Sequence, residues 1–188
     1  MRSIPFILIA ICCASPLVSR AQVVTNPPPT EIQNFELQSD TVIVKGFGEI
    51  GSLATDAGVI SVRCKESDNV MAGSKIYGIA VVLESNQSRN AFVVDDDELE
   101  ALIRGLDFLD KISYDVTTMP SFDAEFTTRS GLRMAAHSER REGSIQLYLQ
   151  FGDVARLPVT PEQFAQFKNL IGQAKKSLDI TKSKNSSS

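Results

Sequence analysis

The sequence contains a single histidine, His137, which any Ser-His-Asp or Cys-His catalytic site would have to use. It follows a strand-like segment and precedes Ser138 and Glu139, a polar sequence typical of a solvated loop. We therefore expect a loop histidine and assign no catalytic residue. Zinc takes about four N or S ligands, which His137 and Cys64 cannot supply together, and no cofactor is predicted.

Four consecutive carboxylates, Asp95-Asp96-Asp97-Glu98, form the densest run of charge, with Glu100 close by. One interpretation is a calcium site, but the spacing and central glycine of an EF-hand loop are missing. The favoured interpretation is a helix start, in which Asp95 caps the first turn and Glu98 completes a capping box. The carboxylates then interact favourably with the helix N-terminus, and no metal site is predicted.

Four arginines lie near one another in sequence between positions 129 and 141. Two interpretations of this group are open: a solvated hairpin end, which is the more ordinary, or a patch that binds an anion or docks a partner. No phosphate-binding glycine loop, nucleophile elbow or dinucleotide fingerprint accompanies it. The group consists of Arg129, Arg133, Arg140 and Arg141.

The first 21 residues have the features of a secretory signal. Arg2 precedes an almost unbroken apolar run from Ile4 to Ala14, and Ser19 and Ala21 provide small side chains for signal peptidase, so cleavage is expected before Gln22. The apolar run is shorter than the roughly 20 residues that span a bilayer. We therefore expect export to the periplasm or cell exterior, with no stable membrane insertion after the signal is removed.

Removal of this segment changes both charge and cysteine content. Loss of Arg2 and Arg20 takes the net charge from −4 to −6, a sign that opposes binding to nucleic acid unless the charges are strongly segregated. Cys12 and Cys13 also leave, so Cys64 remains alone and no internal disulfide can form. In an alternating strand pattern, such a cysteine is expected to be a small buried hydrophobe.

Residues 41–180 predict one α+β domain, preceded by a proline-containing lead-in over 22–40 and followed by a polar tail over 181–188. Alternating hydrophobicity indicates eight strands in two sets of four, and segments 66–74 and 137–143 are expected to be loops. Glycines at 46, 48 and 51 predict a bulge or bend in the first strand. Gly152-Asp153 predicts a tight hairpin turn.

A helix follows each set of strands. Gly105 in the first helix predicts close packing against a sheet, while Thr160 and Gln163 predict a capping box for the second. The apolar faces consist of Leu99, Leu102, Ile103 and Leu106 in the first helix and Phe164, Phe167, Leu170, Ile171 and Ala174 in the second.

These elements indicate an internal repeat over residues 41–112 and 120–178. The helices align at an offset of 65, which matches Leu102 with Phe167, and the first hairpins align at an offset of 73. That hairpin alignment matches Ile60 with Arg133. Beyond the turn, an apolar position of the first repeat therefore corresponds to a charged position of the second, unless a bulge shifts the register. In each repeat we expect a four-stranded antiparallel sheet to bury one face under its helix.

The ββββα order over residues 42–178 resembles the topology of the PUR-repeat and whirly class of folds. The resemblance implies duplicated sheet–helix units, and relatives in that class bind single-stranded nucleic acid on the open sheet face. This chain lacks the basic and aromatic stripe that stacks bases, and its mature charge is negative. No nucleic-acid partner is therefore expected.

Two classes of function remain. We expect an exported, non-enzymatic binding or accessory protein that uses an open sheet face or loops to bind a protein or small molecule. The alternative is a secreted hydrolase-type enzyme whose site is built from carboxylates such as Asp123 and Glu125. The lack of a recognisable catalytic constellation favours the binding protein. Nothing in the sequence excludes a homodimer.

Overall fold

A computed structural model describes residues 29–56, 58–85, 89–139, 143–152 and 155–185, and the predicted signal lies outside them. In these residues the chain forms three α-helices and eight strands, with short 3-10 turns at Asp96–Glu98 and Tyr114–Val116. The helices are α1 (Glu31–Glu36), α2 (Leu99–Asp110) and α3 (Pro161–Asn185). The strands are β1 (Ile43–Thr55), β2 (Gly58–Asn69), β3 (Ser74–Glu84), β4 (Arg89–Asp95), β5 (Ser121–Thr127), β6 (Leu132–Glu139), β7 (Ser144–Phe151) and β8 (Ala155–Val159).

The strands form two antiparallel sheets of four, in the orders β1-β2-β3-β4 and β5-β6-β7-β8. This confirms the predicted α+β class. Each sheet is a simple meander because short turns connect strands that are neighbours in sequence. The predicted irregularity in β1 is a bulge, since the register with β2 shifts between Glu49 and Gly51.

The two helices that follow the sheets are exchanged between the halves. Each sheet packs on one helix, but α3 contacts β1, β2 and β3 of the first sheet, while α2 contacts β5 and β6 of the second. The Gly51 backbone approaches Leu170 of α3 so closely that an added Cβ would lie 2.7 Å from Leu170 Cδ2. Both sheets and both helices therefore share one hydrophobic core.

The repeat is visible in the pairing of the first hairpin of each sheet. Leu53 pairs with Ile60 across the first hairpin, and Phe126 pairs with Met134 across the second. The second connection is thus one residue longer, so Met134 rather than Arg133 corresponds to Ile60. Ile60 and Met134 are both fully buried, which removes the mismatch of faces in the sequence alignment.

Both segments predicted to be loops contain strand. β2 runs to Asn69, so the loop covers only residues 70–73, and β6 includes His137. The polar composition of these segments had suggested that they are exposed to solvent. In β2, however, Lys65, Ser67 and Asn69 are buried polar residues, and contacts with the chain before β1 satisfy them.

That preceding chain contains a helix the sequence did not predict. α1 lies within the lead-in and begins at a capping box, in which Thr30 Oγ1 accepts from Gln33 N–H at 3.1 Å and Gln33 Oε1 accepts from Thr30 N–H at 2.9 Å. At the other end, α3 continues to Asn185, through part of the predicted polar tail. Its predicted Thr160–Gln163 capping box is confirmed.

Candidate functional site

Part of the outer face of the first sheet, turned away from the shared core, is covered by α1. Ile32 is fully buried and packs where Gly78 leaves space, since a Cβ on Gly78 would lie 2.5 Å from Ile32 Cδ1. Helix α1 contacts β2, β3 and β4. One region of this outer face is therefore already packed against a helix of the same chain.

Glu36 anchors the C-terminal end of α1. Its carboxylate lies 2.7 Å from Lys65 Nζ and 2.8 Å from Lys45 Nζ, and accepts from Ser67 Oγ at 2.5 Å. Burial alone raises the pKa of Glu36, but the hydrogen bonds from Lys45, Lys65 and Ser67 outweigh it and lower the pKa below its ordinary value. The ionised carboxylate is thus the form that holds α1 in place.

Asp95 anchors the N-terminal end of α1, and the predicted capping of α2 by Asp95 and Glu98 was wrong. Asp95 makes no side-chain cap to the turn that precedes α2. Its carboxylate instead accepts from the backbone N–H groups of Glu31 at 2.8 Å and Ile32 at 3.1 Å, and from Arg129 at 3.1 Å. A residue 63 positions away in sequence therefore caps α1.

The other carboxylates of the acidic run bind separate partners. Asp96 pairs with Lys182 of α3, Asp97 pairs with Arg129, and Glu98 Oε1 accepts from the Arg129 backbone N–H at 2.8 Å. The run thus joins α1, α3 and the turn between β5 and β6. Within the described residues, no group of three or more His, Cys, Asp or Glu side chains is arranged to hold a metal ion.

The outer face of the second sheet is polar, and we call it the open face. Along β5 the exposed residues alternate with partly buried Phe122, Ala124 and Phe126, which pack against the core, so the two faces of this sheet are distinct. The open face consists of Ser121, Asp123, Glu125 and Thr127 of β5, Arg133, Ala135 and His137 of β6, Gln146, Tyr148 and Gln150 of β7, and Arg156 and Pro158 of β8.

Charges on the open face are paired across neighbouring strands. Asp123 Oδ1 lies 2.7 Å from His137 Nδ1, and Glu125 Oε1 lies 3.8 Å from Arg133 Nε. The Asp123 side chain is 75% exposed, so water screens these pairs. The face therefore has little net charge and presents both signs to a partner.

An aromatic side chain lies beside these pairs. Tyr148 projects from β7 with the Arg156 guanidinium 4.0 Å from the centre of its ring, and its hydroxyl bonds to Gln146. Its neighbour Gln150 pairs in register with Arg156 on one side and Arg133 on the other. This combination of a flat ring, amides and guanidinium groups can stack on and hydrogen-bond to a polar partner.

The four arginines of the predicted patch do not share one environment. Arg129 lies in the β5–β6 turn among the carboxylates of Glu31, Asp95, Asp97 and Glu98. This arrangement raises its pKa, chiefly through the hydrogen bond to Asp97. Arg133 lies on the open face. Arg140 and Arg141 lie outside the described residues, so their part in an anion or partner patch stays a prediction.

The alternative of a carboxylate-based hydrolase has one feature in its favour, the Asp123–His137 pair. The His137 ring hydrogen-bonds to Asp123, and within the described residues no serine, threonine or cysteine side chain hydrogen-bonds to that ring. Glu125 instead binds Thr127 and Arg133. The two carboxylates therefore serve separate partners on an exposed sheet face rather than converging on a reacting atom.

Cys64 is half-buried beneath α3, and burial raises the pKa of its thiol. Its Sγ lies 3.5 Å from the carbonyl oxygen of Ala174. A cleft of about 260 Å³ opens beside it between β1 and α3, lined in part by Gly46, Gly48 and Leu178. A raised thiol pKa means that little reactive thiolate forms at neutral pH.

Sequence reasoning missed Gln146, Gln150 and Arg156 as members of a surface. The signal was present in β7, where the apolar residues Ile145, Leu147, Leu149 and Phe151 alternate with more polar ones. That alternation predicts which side chains face outward. It could not show whether another element covers them, because the partner of a face is set by tertiary contacts.

Comparison with protein-family models, with curated proteins and with solved structures finds no match. Among the described helices, none is long and apolar enough to cross a membrane.

Proposed function

We propose that this chain is an exported, non-enzymatic binding protein that uses the open face of the second sheet to bind a partner. The observation that carries the proposal is the difference between the two sheets. Part of the outer face of the first sheet is covered by α1 through Ile32 and Glu36, whereas every residue of the open face is exposed or partly exposed. An exposed array of paired polar groups around one aromatic ring is a surface available for recognition.

The composition of the second half supports a protein as partner. Between Lys111 and Lys168 the chain contains five arginines and no lysine. Arginine and tyrosine are enriched at protein interfaces, whereas lysine is depleted there. Arg133, Arg156 and Tyr148 are the residues of the open face that belong to the enriched classes.

Export is supported by the N-terminal sequence pattern, in which a basic residue, an apolar run and small residues at 19 and 21 follow one another. A single cysteine outside that segment is compatible with an oxidising compartment, because the domain needs no disulfide and takes its stability from the shared core. The place of action that we propose is therefore the periplasm or cell exterior.

The test is in-cell crosslinking of the exported protein, followed by mass spectrometry of captured species, with Ala135→Arg as the blocking variant. Ala135 lies between Glu125 and Tyr148 at the middle of the open face, so a long side chain there obstructs the face without entering the core. Ala91→Arg, at an exposed position of β4, is the matched control. We expect capture by wild type and Ala91→Arg and loss in Ala135→Arg. Equal capture by all three contradicts the proposal.

A further inference from the structure

One edge of the first sheet has backbone groups available for another strand. Successive strand residues direct their N–H and C=O groups to opposite sides. The Val42 carbonyl accepts from Val70 N–H at 3.1 Å, on the β2 side. The groups of the odd-numbered residues between 43 and 49 therefore point away from β2, and this part of β1 can pair with another chain.

The rest of the same edge is already occupied. Gln163 Nε2 of α3 donates to the Ala54 carbonyl at 3.2 Å, and Gln166 Nε2 donates to the Ser52 carbonyl at 3.3 Å. Phe47, by contrast, is 58% exposed and Val44 is 52% exposed. Among the described residues, this part of β1 thus combines outward-facing backbone groups that have no hydrogen-bond partner with exposed apolar side chains.

We propose that β1 pairs antiparallel with β1 of a second copy of this chain, about a two-fold axis at Phe47. In this register Lys45 of each copy lies opposite Glu49 of the other, on the same face of the sheet. The side chains of Lys45 and Glu49 are 45% and 65% exposed, respectively, so each can reach the facing strand of the other copy. The result is a continuous eight-stranded sheet with Phe47 packed against its own counterpart.

The charge pattern favours this register over the two registers whose axis lies one hydrogen-bonded pair away. A two-fold axis at Lys45 or at Glu49 places that residue opposite itself, and like charges directly opposite are destabilising. Self-pairing of β5 meets the same obstacle, because Asp123 would face Glu125. In β8, Pro158 removes a donor. Among these three edge strands, β1 has the self-complementary sequence.

The experiment is a charge exchange in the full mature chain, read by sedimentation velocity over a range of concentrations. We expect wild type to sediment as a dimer, Lys45→Glu and Glu49→Lys each to weaken the dimer at least tenfold, and the double variant to recover most of the affinity. The double variant does not restore the intrachain pairs of Lys45 with Glu36 and Glu49 with Arg63. Recovery therefore reports pairing between copies, and circular dichroism establishes that each variant is folded.

A second measurement uses Phe47→Cys with diamide as oxidant, which takes up the two hydrogens lost when the thiols join. A hydrogen-bonded antiparallel pair has Cα atoms about 5.5 Å apart, within the range of a disulfide. Phe108→Cys, at a 56% exposed position of α2, is the control. We expect a covalent dimer from Phe47→Cys alone. A monomeric wild type, no recovery in the double charge variant, or equal crosslinking by the control overturns the proposal.

Discussion

At the scale of single residues, Asp95 illustrates how far a side chain's role can lie from its sequence neighbours. Its position before α2 favoured a local cap, yet its carboxylate binds the first N–H groups of α1 and the Arg129 guanidinium. The capping preference of aspartate was predicted correctly, but the helix it caps was not. Local sequence cannot specify which of two nearby helix starts a buried carboxylate will meet.

We expect Asp95→Ala to lower the free energy of unfolding by about 2–4 kcal/mol, because it leaves two backbone donors and Arg129 without a buried acceptor. The Asp95 side chain is 2% exposed. Asp97→Ala removes an exposed partner of the same arginine and should cost less than about 1 kcal/mol. Urea melts of both variants check this. Equal losses would show that Asp95 acts only as a surface charge.

Glu36 gives the anchoring of α1 a pH dependence. Its pKa is lowered in the folded state, so its contribution to stability is present above the ordinary carboxyl pKa of about 4.3 and is lost as pH falls through the lowered value. We expect Glu36→Gln to cost about 1–3 kcal/mol at pH 7 and progressively less as the pH is lowered through the pKa of the folded state. Denaturant melts over a descending series of pH values measure the difference, and a cost that stays unchanged until the protein unfolds in acid would refute the assignment.

At the scale of elements, the strands were the most predictable part of the fold. Alternation identified eight strands in two sets of four, and the Thr160 capping box located the start of α3. Helix α1 was missed because six residues are too few to show a helical period, and its stability comes from docking. The extent of β2 was missed because its buried polar residues are satisfied by α1 and the residues between α1 and β1 rather than by water.

Two helical glycines provide a matched test of packing. A Cβ on Gly105 of α2 would lie 2.5 Å from Phe126 Cδ2 of β5, whereas nothing lies within 4 Å of one on Gly172 of α3. We expect Gly105→Ala to destabilise by about 1–3 kcal/mol through overpacking. Gly172→Ala should stabilise by about 0.5–1 kcal/mol through helix propensity. Thermal melts measure both, and a gain at Gly105 would mean that α2 does not pack closely on β5.

At the scale of the whole molecule, the exchange of helices between sheets could not be predicted. An apolar face such as that of Phe164 and Phe167 indicates burial, but either sheet could bury it. The structure places α3 on the first sheet and α2 on the second, so neither half has its core without the other. The order of elements and the two antiparallel sheets followed from sequence, while their mutual packing did not.

The charge of the molecule predicts that it does not bind single-stranded nucleic acid. Such binding draws much of its free energy from counterion release by basic residues, and the chain is acidic, with a net charge of −4. We expect no change in fluorescence anisotropy of a labelled oligonucleotide at protein concentrations up to about 100 µM in physiological salt. Salt-dependent micromolar binding, abolished by Arg140→Glu with Arg141→Glu, would show that the topological resemblance outweighs charge.

The most direct test of the central claim places a photo-crosslinking amino acid at Gln146, on the open face, or at Gln173, on the exposed side of α3. Both are exposed glutamines, so the substitutions are matched, and illumination of cells that export each variant reports what lies against that residue. If the open face is the binding surface, we expect a discrete crosslinked adduct from position 146 and none from position 173. Absence of an adduct at 146, or the same adducts from both positions, contradicts it.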